Sequence, residues 1–365
     1  MTFAQVQVRK DELTDATLVE LPDSELAEGA VRLQIESFSV TANNITYAVV
    51  GDGFGYWNFF PPVGDDTEGL GIVPMWGHAK VTENAHPDID VGERVYGYLP
   101  MASELVVRPD KISASSFTDS TDYRQPMSPI YNTYSRLAAD PEHDPAKEAE
   151  RMIFGPLFKT GFLIEYFMRN DDWFGAEEVM LTSASSKTAM GLASVARQNT
   201  PGIKRIGLTS VANVDFVEGT GLYDKVATYD EIGSQPLRDC VSVDFAGNAE
   251  VLGKLHEHFT DMLKYSCLVG ATHIEARSTL GGDDGALAGP KPTLFFAPDH
   301  AVAFFKEHGP EEGGKLVAAA WHEFLKEVDG TVEIVKLEGL EAARATFLEM
   351  VGGKVDPSKG IVIEP

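Results

Sequence analysis

Hydrophobic and polar residues alternate along the first third of the chain, a pattern typical of short β-strands. The alternation is clear at 31–35, 93–98 and 104–107, and Gly, Pro and Asp residues separate these stretches. Short strands with turns between them predict a small barrel. We predict that this domain occupies residues 1–150 and is completed by about 330–365.

A different rhythm, strand then helix then strand, begins after residue 175. Alternation of this kind predicts a mostly parallel, doubly wound sheet over residues 151–329, and therefore an α/β chain with two domains. The Ser-, Asp- and Pro-rich stretch 113–150 shows little periodicity, so we predict an elaborated connection between the domains. The candidate strands of the second domain are 179–182, 205–209, 225–228, 240–245 and 265–269.

Composition narrows the set of partners. The 365 residues carry 30 Lys and Arg against 56 Asp and Glu, a net charge of −26. This charge argues against nucleic acid or an anionic membrane as the main partner. The two cysteines lie in apolar strand-like runs, which argues against a disulfide framework and favours a cytoplasmic protein. No stretch has the pattern of an export signal or of a membrane span.

The first strand-to-helix turn of the second domain, residues 182–189, is a candidate dinucleotide loop. In doubly wound folds this turn meets the pyrophosphate with backbone amides and a helix N-terminus. The turn contains no glycine, but small hydroxyl residues permit close approach and add hydrogen-bond donors. The alternative is that these residues only cap a helix. The candidate cofactor ligands here are Ser183, Ser185, Ser186, Lys187 and Thr188.

The end of the second strand distinguishes the two nicotinamide cofactors. An acidic residue there would bind the ribose of NAD, whereas the first carboxylate here is Asp215. NADP(H) is therefore favoured, although an ordinary polar strand end is the alternative. Candidates around the 2′-phosphate are Thr209, Ser210 and Asn213, with Lys187 or Arg205 as charge partners.

Several segments, in order along the chain, resemble one family. Residues 73–81, 90–98 and 102–112 resemble the catalytic barrel of the medium-chain dehydrogenase/reductase superfamily, and residues 39–47 resemble its zinc-independent quinone-reductase branch; further similar segments are 157–161 and 358–362. The resemblance implies a GroES-like β-barrel catalytic domain plus a Rossmann-type cofactor domain.

The resemblance also implies that no metal is bound. Zinc-dependent members carry a Cys near residue 42, a Gly-His-Glu triplet and a four-Cys lobe, whereas this chain has Ala42 and Gly77-His78-Ala79 and lacks the lobe. We expect His78 to be a barrel or cleft residue. His256 and His258 are two residues apart, which predicts an exposed helix rather than a shared metal.

The activity implied by the resemblance is hydride transfer from NADPH to an activated C=C or quinone-type small molecule. Tyr47 is the leading hydrogen-bond donor to the substrate oxygen, unless it only packs in the barrel. Asn43 and Asn44 would orient the substrate, and Thr160 would contact the nicotinamide. Phe245, Ala246 and Gly247 would pass beneath the cofactor, and Asp244 alternatively caps the next helix.

Aromatic residues form the remaining candidate sites. Phe54, Tyr56 and Trp57 lie among glycines and suit a lid over a flat substrate, or else core or dimer contacts. Phe295 would border the nicotinamide or a dimer seam, because zinc-free members are commonly homodimers. Two other functions stay open: a reductase-like protein that binds nucleotide without catalysis, and a lyase or isomerase that binds a substrate phosphate or carboxylate at the same loop.

Overall fold

A computed structural model describes residues 2–22, 25–245, 247–269, 287–354 and 356–365. The chain forms two compact units. Unit 1 consists of Met1–Ile153 and Glu333–Pro365, and unit 2 consists of Phe154–Val332. The sequence predicted boundaries near residues 150 and 329, and the structure divides the chain a few residues beyond each of them.

Unit 1 is built mainly on antiparallel strands, with one parallel pair formed by residues 333–338 and 359–364. One three-stranded sheet has the order β2-β1-β4, and a nine-stranded sheet has the order β17-β18-β3-β5-β6-β10-β9-β8, with β7 paired to β3. The strands are β1 (Thr2–Arg9), β2 (Glu12–Pro22), β3 (Val31–Val40), β4 (Leu70–Gly71), β5 (Pro74–Asn84), β6 (Arg94–Pro100), β7 (Glu104–Val107), β8 (Pro109–Asp110), β9 (Ser116–Asp119), β10 (Thr133–Arg136), β17 (Glu333–Glu338) and β18 (Lys359–Glu364).

The core of unit 1 follows from the two-residue period of these strands. Val31, Leu33 and Ile35 of β3 are buried, as are Met75 and Val81 of β5, and these two strands pair in antiparallel register. The helices of unit 1 are α1 (Ala42–Val49), α2 (Pro129–Asn132), the first residues of α3 (Glu148–Asn170), and α9 (Leu340–Val351).

The segment 113–150, predicted as an elaborated connection with little regular structure, forms part of unit 1 and contributes strands to its larger sheet. It contains β9, α2 and β10, of which β10 pairs with β6. Its centre is a fully buried ion pair in which the Arg124 guanidinium lies 3.1 Å from the Asp119 carboxylate. Arg124 also donates to the Tyr134 hydroxyl at 2.8 Å and the Tyr131 carbonyl at 2.6 Å. Because the polar groups satisfy one another, they can be buried.

Unit 2 contains a six-stranded parallel sheet, which confirms the predicted α/β fold class. Its order is β13-β12-β11-β14-β15-β16. The strands are β11 (Glu178–Leu181), β12 (Lys204–Thr209), β13 (Lys225–Thr228), β14 (Cys240–Asp244), β15 (Leu263–Val269) and β16 (Thr293–Phe295), and the helices are the rest of α3, α4 (Lys187–Asn199), α5 (Val214–Gly219), α6 (Ala249–Phe259), α7 (Ala297–His308) and α8 (Pro310–Glu327).

The helix α4 packs closely against α3 at a glycine. A Cβ atom on Gly161 would lie 2.5 Å from the backbone nitrogen of Leu192, so only glycine permits this approach. The contact holds α4, and with it the turn between β11 and α4, against the rest of unit 2. No helix in the described parts of the chain is both long enough and apolar enough to cross a membrane.

Candidate functional site

The candidate cofactor loop lies at the carboxyl end of β11, where the parallel sheet of unit 2 meets the N-terminus of α4. Ser186 is the N-cap of this helix, and its hydroxyl accepts a hydrogen bond from the Ala189 amide at 3.2 Å. Lys187, the first residue of α4, is half-buried, whereas the next residue, Thr188, is buried. The loop therefore presents a capped helix N-terminus with a cation in its first turn, which favours an anion.

Several backbone amides of the loop are already hydrogen-bonded within unit 2. The Ser183 amide donates to the Tyr229 hydroxyl at 3.1 Å, and the Ala184 amide donates to the Leu208 carbonyl at 3.1 Å. The Ser186 amide donates to the Ser183 carbonyl at 2.7 Å. An anion at this end of the sheet would therefore be met by first-turn amides of α4 and by hydroxyl groups.

The end of β12 supplies polar groups beside this loop. Thr209 is buried and Ser210 is exposed. Asn213 lies close to the loop, because its side-chain amide donates to the Ser185 hydroxyl at 3.3 Å. Asp215 lies within α5, so no carboxylate directly follows the strand.

Arg205 was a wrong choice as a charge partner for a 2′-phosphate. It lies near the amino end of β12, the end opposite to Thr209. Its guanidinium is 2.7 Å from the Asp224 carboxylate, so its charge is already paired. The sequence pattern placed it on the correct strand but could not show which acidic residue would meet it.

The carboxyl end of β14 is tied to the loop by a buried pair of side chains. The Thr182 hydroxyl donates to the Asp244 carboxylate and accepts from the Phe245 amide at 2.9 Å. The alternative that Asp244 caps the next helix is wrong, because Asn248 accepts from the Glu250 amide at 2.9 Å and caps α6. Gly247 lies in this turn with a φ of 65°, and Ala246 lies outside the described residues.

Two further predicted cofactor contacts lie inside unit 2. Thr160 is within α3, where its hydroxyl donates to the Pro156 carbonyl at 3.2 Å. Phe295, the last residue of β16, is buried, and its ring stacks on His300 with centroids 3.9 Å apart. Both side chains therefore have partners within the fold of unit 2.

The predicted hydrogen-bond donor of unit 1, Tyr47, lies on α1 in a cluster of phenols. Its ring centroid is 4.6 Å from that of Tyr56 and 5.4 Å from that of Tyr98. The Tyr47 hydroxyl accepts hydrogen bonds from the Asn43 amide at 2.7 Å and from the Trp76 indole at 3.1 Å. Trp76 was missed by the sequence reasoning, although it stands two residues before His78 in a segment that carries the resemblance.

These contacts define the chemical character of Tyr47. Burial raises the pKa of its phenol well above the usual range, so the group keeps its proton at neutral pH. Two donors occupy the lone pairs of its oxygen, which leaves the O–H bond of Tyr47 to donate. The side chain of Asn43 therefore orients Tyr47, and its predicted contact with substrate stays a prediction.

Asn44 and the aromatic segment after α1 also have partners within unit 1. Asn44 accepts from the Thr41 amide at 2.6 Å and donates to the Pro74 carbonyl at 2.8 Å, so it holds the start of α1 against β5. Tyr56 and Trp57 are buried, and Phe54 is half-buried. The Trp57 indole packs against Gly51 and Gly71, where added Cβ atoms would lie 2.2 and 2.4 Å from it.

The histidines named in the sequence are buried or bonded. His78 is fully buried in β5. His256 and His258 were predicted on an exposed helix, and this is wrong for His256, which is fully buried and bonds the Ser266 hydroxyl at 2.9 Å. His258 is half-buried and bonds the Gln235 carbonyl at 2.9 Å. Among the described residues, no group of three or more His, Cys, Asp or Glu side chains is arranged to hold a metal ion.

Solved structures share this fold over nearly the whole chain. CurA from Vibrio vulnificus, solved in complex with NADPH, is 14% identical, with a TM-score of 0.58 and coverage of 99% of this chain and 98% of that one. The quinone oxidoreductase from Coxiella burnetii is 13% identical, with a TM-score of 0.56 and full coverage of both chains. The yhdH oxidoreductase from Salmonella enterica, in complex with NADP, is 14% identical, with a TM-score of 0.55 and 99% coverage of both chains.

These likenesses confirm the fold expected from the resemblance to medium-chain reductases. At the level of sequence, residues 38–356 match the family model described as protein of unknown function (DUF2855). No curated protein is similar enough in sequence to count as a match. The chain thus shares the fold of these oxidoreductases at a sequence identity of 13 to 14%.

Proposed function

We propose that this chain, which belongs to the DUF2855 family, is an NADP(H)-dependent oxidoreductase that reduces an activated C=C or quinone-type small molecule without zinc. The observation that carries the proposal is the N-terminus of α4, which is capped, lined by hydroxyl groups and placed at the carboxyl end of a parallel sheet. In addition, no carboxylate directly follows β12. Support for the cofactor comes from CurA and the yhdH oxidoreductase, which have this fold and were solved with NADPH and NADP.

Unit 2 would supply the groups that bind NADP(H). The α4 N-terminus and Lys187 would receive the pyrophosphate, and the hydroxyls of Ser185 and Ser186 lie in the same turn. Ser210 and Asn213 would take the 2′-phosphate, since both follow β12 and neither carries a negative charge. When bound, NADPH supplies the hydride.

Unit 1 would supply the electrophilic assistance. Tyr47 would donate a hydrogen bond to the carbonyl oxygen of the substrate, where negative charge develops as hydride reaches the conjugated carbon. Because the pKa of Tyr47 is raised, the phenol stabilises this charge without giving up its proton, and the α-carbon takes its proton from water. Asn43 and Trp76 hold the phenol in place.

The cofactor assignment predicts selective binding of NADPH. Fluorescence titration of the purified chain should show tighter binding of NADPH than of NADH, because residues 210–214, which directly follow β12, contain no carboxylate and offer the polar side chains of Ser210 and Asn213 to a 2′-phosphate. Lys187→Ala should weaken NADPH binding about fivefold, the effect of one partly exposed charge worth about 1 kcal/mol.

A matched control is Lys264→Ala. Lys264 belongs to the same unit but pairs with Asp239 at the amino end of β15, so its loss should leave binding unchanged. A chain that binds neither dinucleotide would refute the proposal and direct the search to small phosphates or carboxylates. Binding without turnover of any quinone or enone would favour the non-catalytic alternative.

The proposal includes a cytoplasmic homodimer. The thiols of Cys240 and Cys267 are free and buried, as suits a reducing compartment. Among the described strands β16 lies at the edge of the sheet, and the following helix exposes 57% of Val302 and 37% of Phe305. Such an edge with apolar neighbours suits pairing with a second copy. Light scattering should give twice the chain mass, and a value near 39.7 kDa would refute the dimer.

A further inference from the structure

The cofactor loop makes a left-handed turn without glycine. Ser183 has a φ of 45°, in the region that favours glycine and that strains a residue with a side chain. In a glycine-rich loop such a turn carries no strain. Here the surrounding structure must hold Ser183 in this conformation, so the contacts of the loop determine its shape.

Two tyrosines from outside the loop make those contacts. The Tyr229 hydroxyl accepts from the Ser183 amide at 3.1 Å, and the Tyr223 hydroxyl donates to the Ala184 carbonyl at 2.6 Å. The two phenols thus bind backbone groups of adjacent loop residues, one the N–H group of Ser183 and the other the C=O group of Ala184. Tyr229 immediately follows β13, and Tyr223 precedes it.

The position of Tyr223 depends on Gly207 in the middle of β12. A Cβ atom on Gly207 would lie 3.0 Å from both the Tyr223 ring and the Ala184 side chain. A glycine is therefore needed at position 207 of the neighbouring strand, because its missing side chain leaves room for the Tyr223 ring. Burial raises the pKa of Tyr223, so its hydroxyl remains a donor at neutral pH.

We propose that Tyr223 and Tyr229 are positioning residues that hold the glycine-free loop in the shape that receives the cofactor pyrophosphate. This inference rests on the proposed NADP(H) function, and it assigns a role to residues outside the loop. The hydrogen bonds of the two hydroxyls stabilise the left-handed turn at Ser183, which a glycine would adopt without strain. They act on the loop and not on the reacting atoms.

Removing either hydroxyl should weaken cofactor binding. Tyr223→Phe and Tyr229→Phe keep the rings but leave a loop peptide group unpaired, so each should raise the Kd for NADPH about fivefold to tenfold. Tyr166→Phe is the matched control: this tyrosine of unit 2 bonds His308 at 2.8 Å, away from the loop, and its loss should leave the Kd unchanged. Unchanged binding in both loop variants would overturn the proposal.

A second substitution separates positioning from direct contact with the cofactor. Ser183→Gly removes the backbone strain, so in that background Tyr229→Phe should change the Kd less than twofold. If Tyr229 instead touches the cofactor, the full loss will persist beside Gly, and the proposal is overturned.

Amide hydrogen exchange of the chain without cofactor tests independently whether the hydrogen bonds of Tyr223 and Tyr229 stabilise the loop. The peptide covering residues 182–189 should exchange faster in Tyr223→Phe and Tyr229→Phe than in the wild type or Tyr166→Phe. Equal exchange in all four proteins would overturn the stabilisation of the loop by the two hydroxyls, even if NADPH binds. A wild type that binds neither dinucleotide refutes the proposed function. Slow exchange that depends on the two hydroxyls would in that case still show that they stabilise the loop.

Discussion

Tyr47→Phe is expected to lower turnover about 100- to 1000-fold, the usual loss when one donor to a developing oxyanion is removed. The variant keeps the ring that packs on Tyr56 and Tyr98, so unit 1 should fold normally. NADPH binding should not change, because the proposed cofactor groups belong to unit 2. The measurement is kcat with saturating NADPH against a panel of quinones and enones, together with the Kd for NADPH.

Tyr96→Phe is the control for this prediction. Tyr96 is a buried tyrosine of unit 1 whose hydroxyl donates to the Arg151 carbonyl at 3.3 Å, and it is not among the residues proposed to meet the substrate. Its removal should change kcat less than about threefold. Trp76→Phe should fall between the two, since it removes one of the donors that orient Tyr47. Equal losses in Tyr47→Phe and Tyr96→Phe would mean that the hydroxyl of Tyr47 has no role of its own in turnover.

The fold of unit 2 could be predicted because its periodicity is local. The candidate strand at 179–182 differs by one residue at each end from β11, and the loop residues 183–188 follow it directly. Local pattern could not reveal Tyr223 and Tyr229, because they lie 39 and 46 residues beyond the loop residues that they contact and meet the loop only in the parallel sheet. The pairing of Arg205 with Asp224 was hidden for the same reason.

Unit 1 was less predictable because its polar residues are used inside the fold. The stretch 113–150 looked like a linker since it is rich in Asp and Ser, yet Asp119 is fully buried and accepts from the Arg108 and Thr121 amides. The helix α1 was also missed. Its sequence is short and rich in Asn, Thr and Tyr, and it is stabilised by the contact of Asn44 with Thr41 and Pro74.

The surroundings of His78 are another feature that the local sequence pattern could not reveal. The sequence placed it in the barrel, and the structure shows a fully buried ring with its centroid 5.1 Å from that of Tyr96. Neither ring nitrogen has a hydrogen-bond partner among the described residues. Burial lowers the pKa of His78 to about 3; the Glu148 carboxylate opposes this shift, and Arg151, Arg94 and His143 add to it.

This shift predicts a loss of stability in acid. Between pH 6.5 and about 3 the unfolded chain takes up a proton on His78 that the folded chain refuses, so stability falls as pH falls. The loss is about 1.4 kcal/mol per pH unit, or about 3 kcal/mol between pH 6.5 and 4. Denaturant unfolding of His78→Gln should lack this part of the acid loss, whereas His143→Gln, which alters a partly exposed histidine nearby, should keep it. Parallel stability curves for the wild type and His78→Gln would show that His78 is charged or solvated in the folded chain.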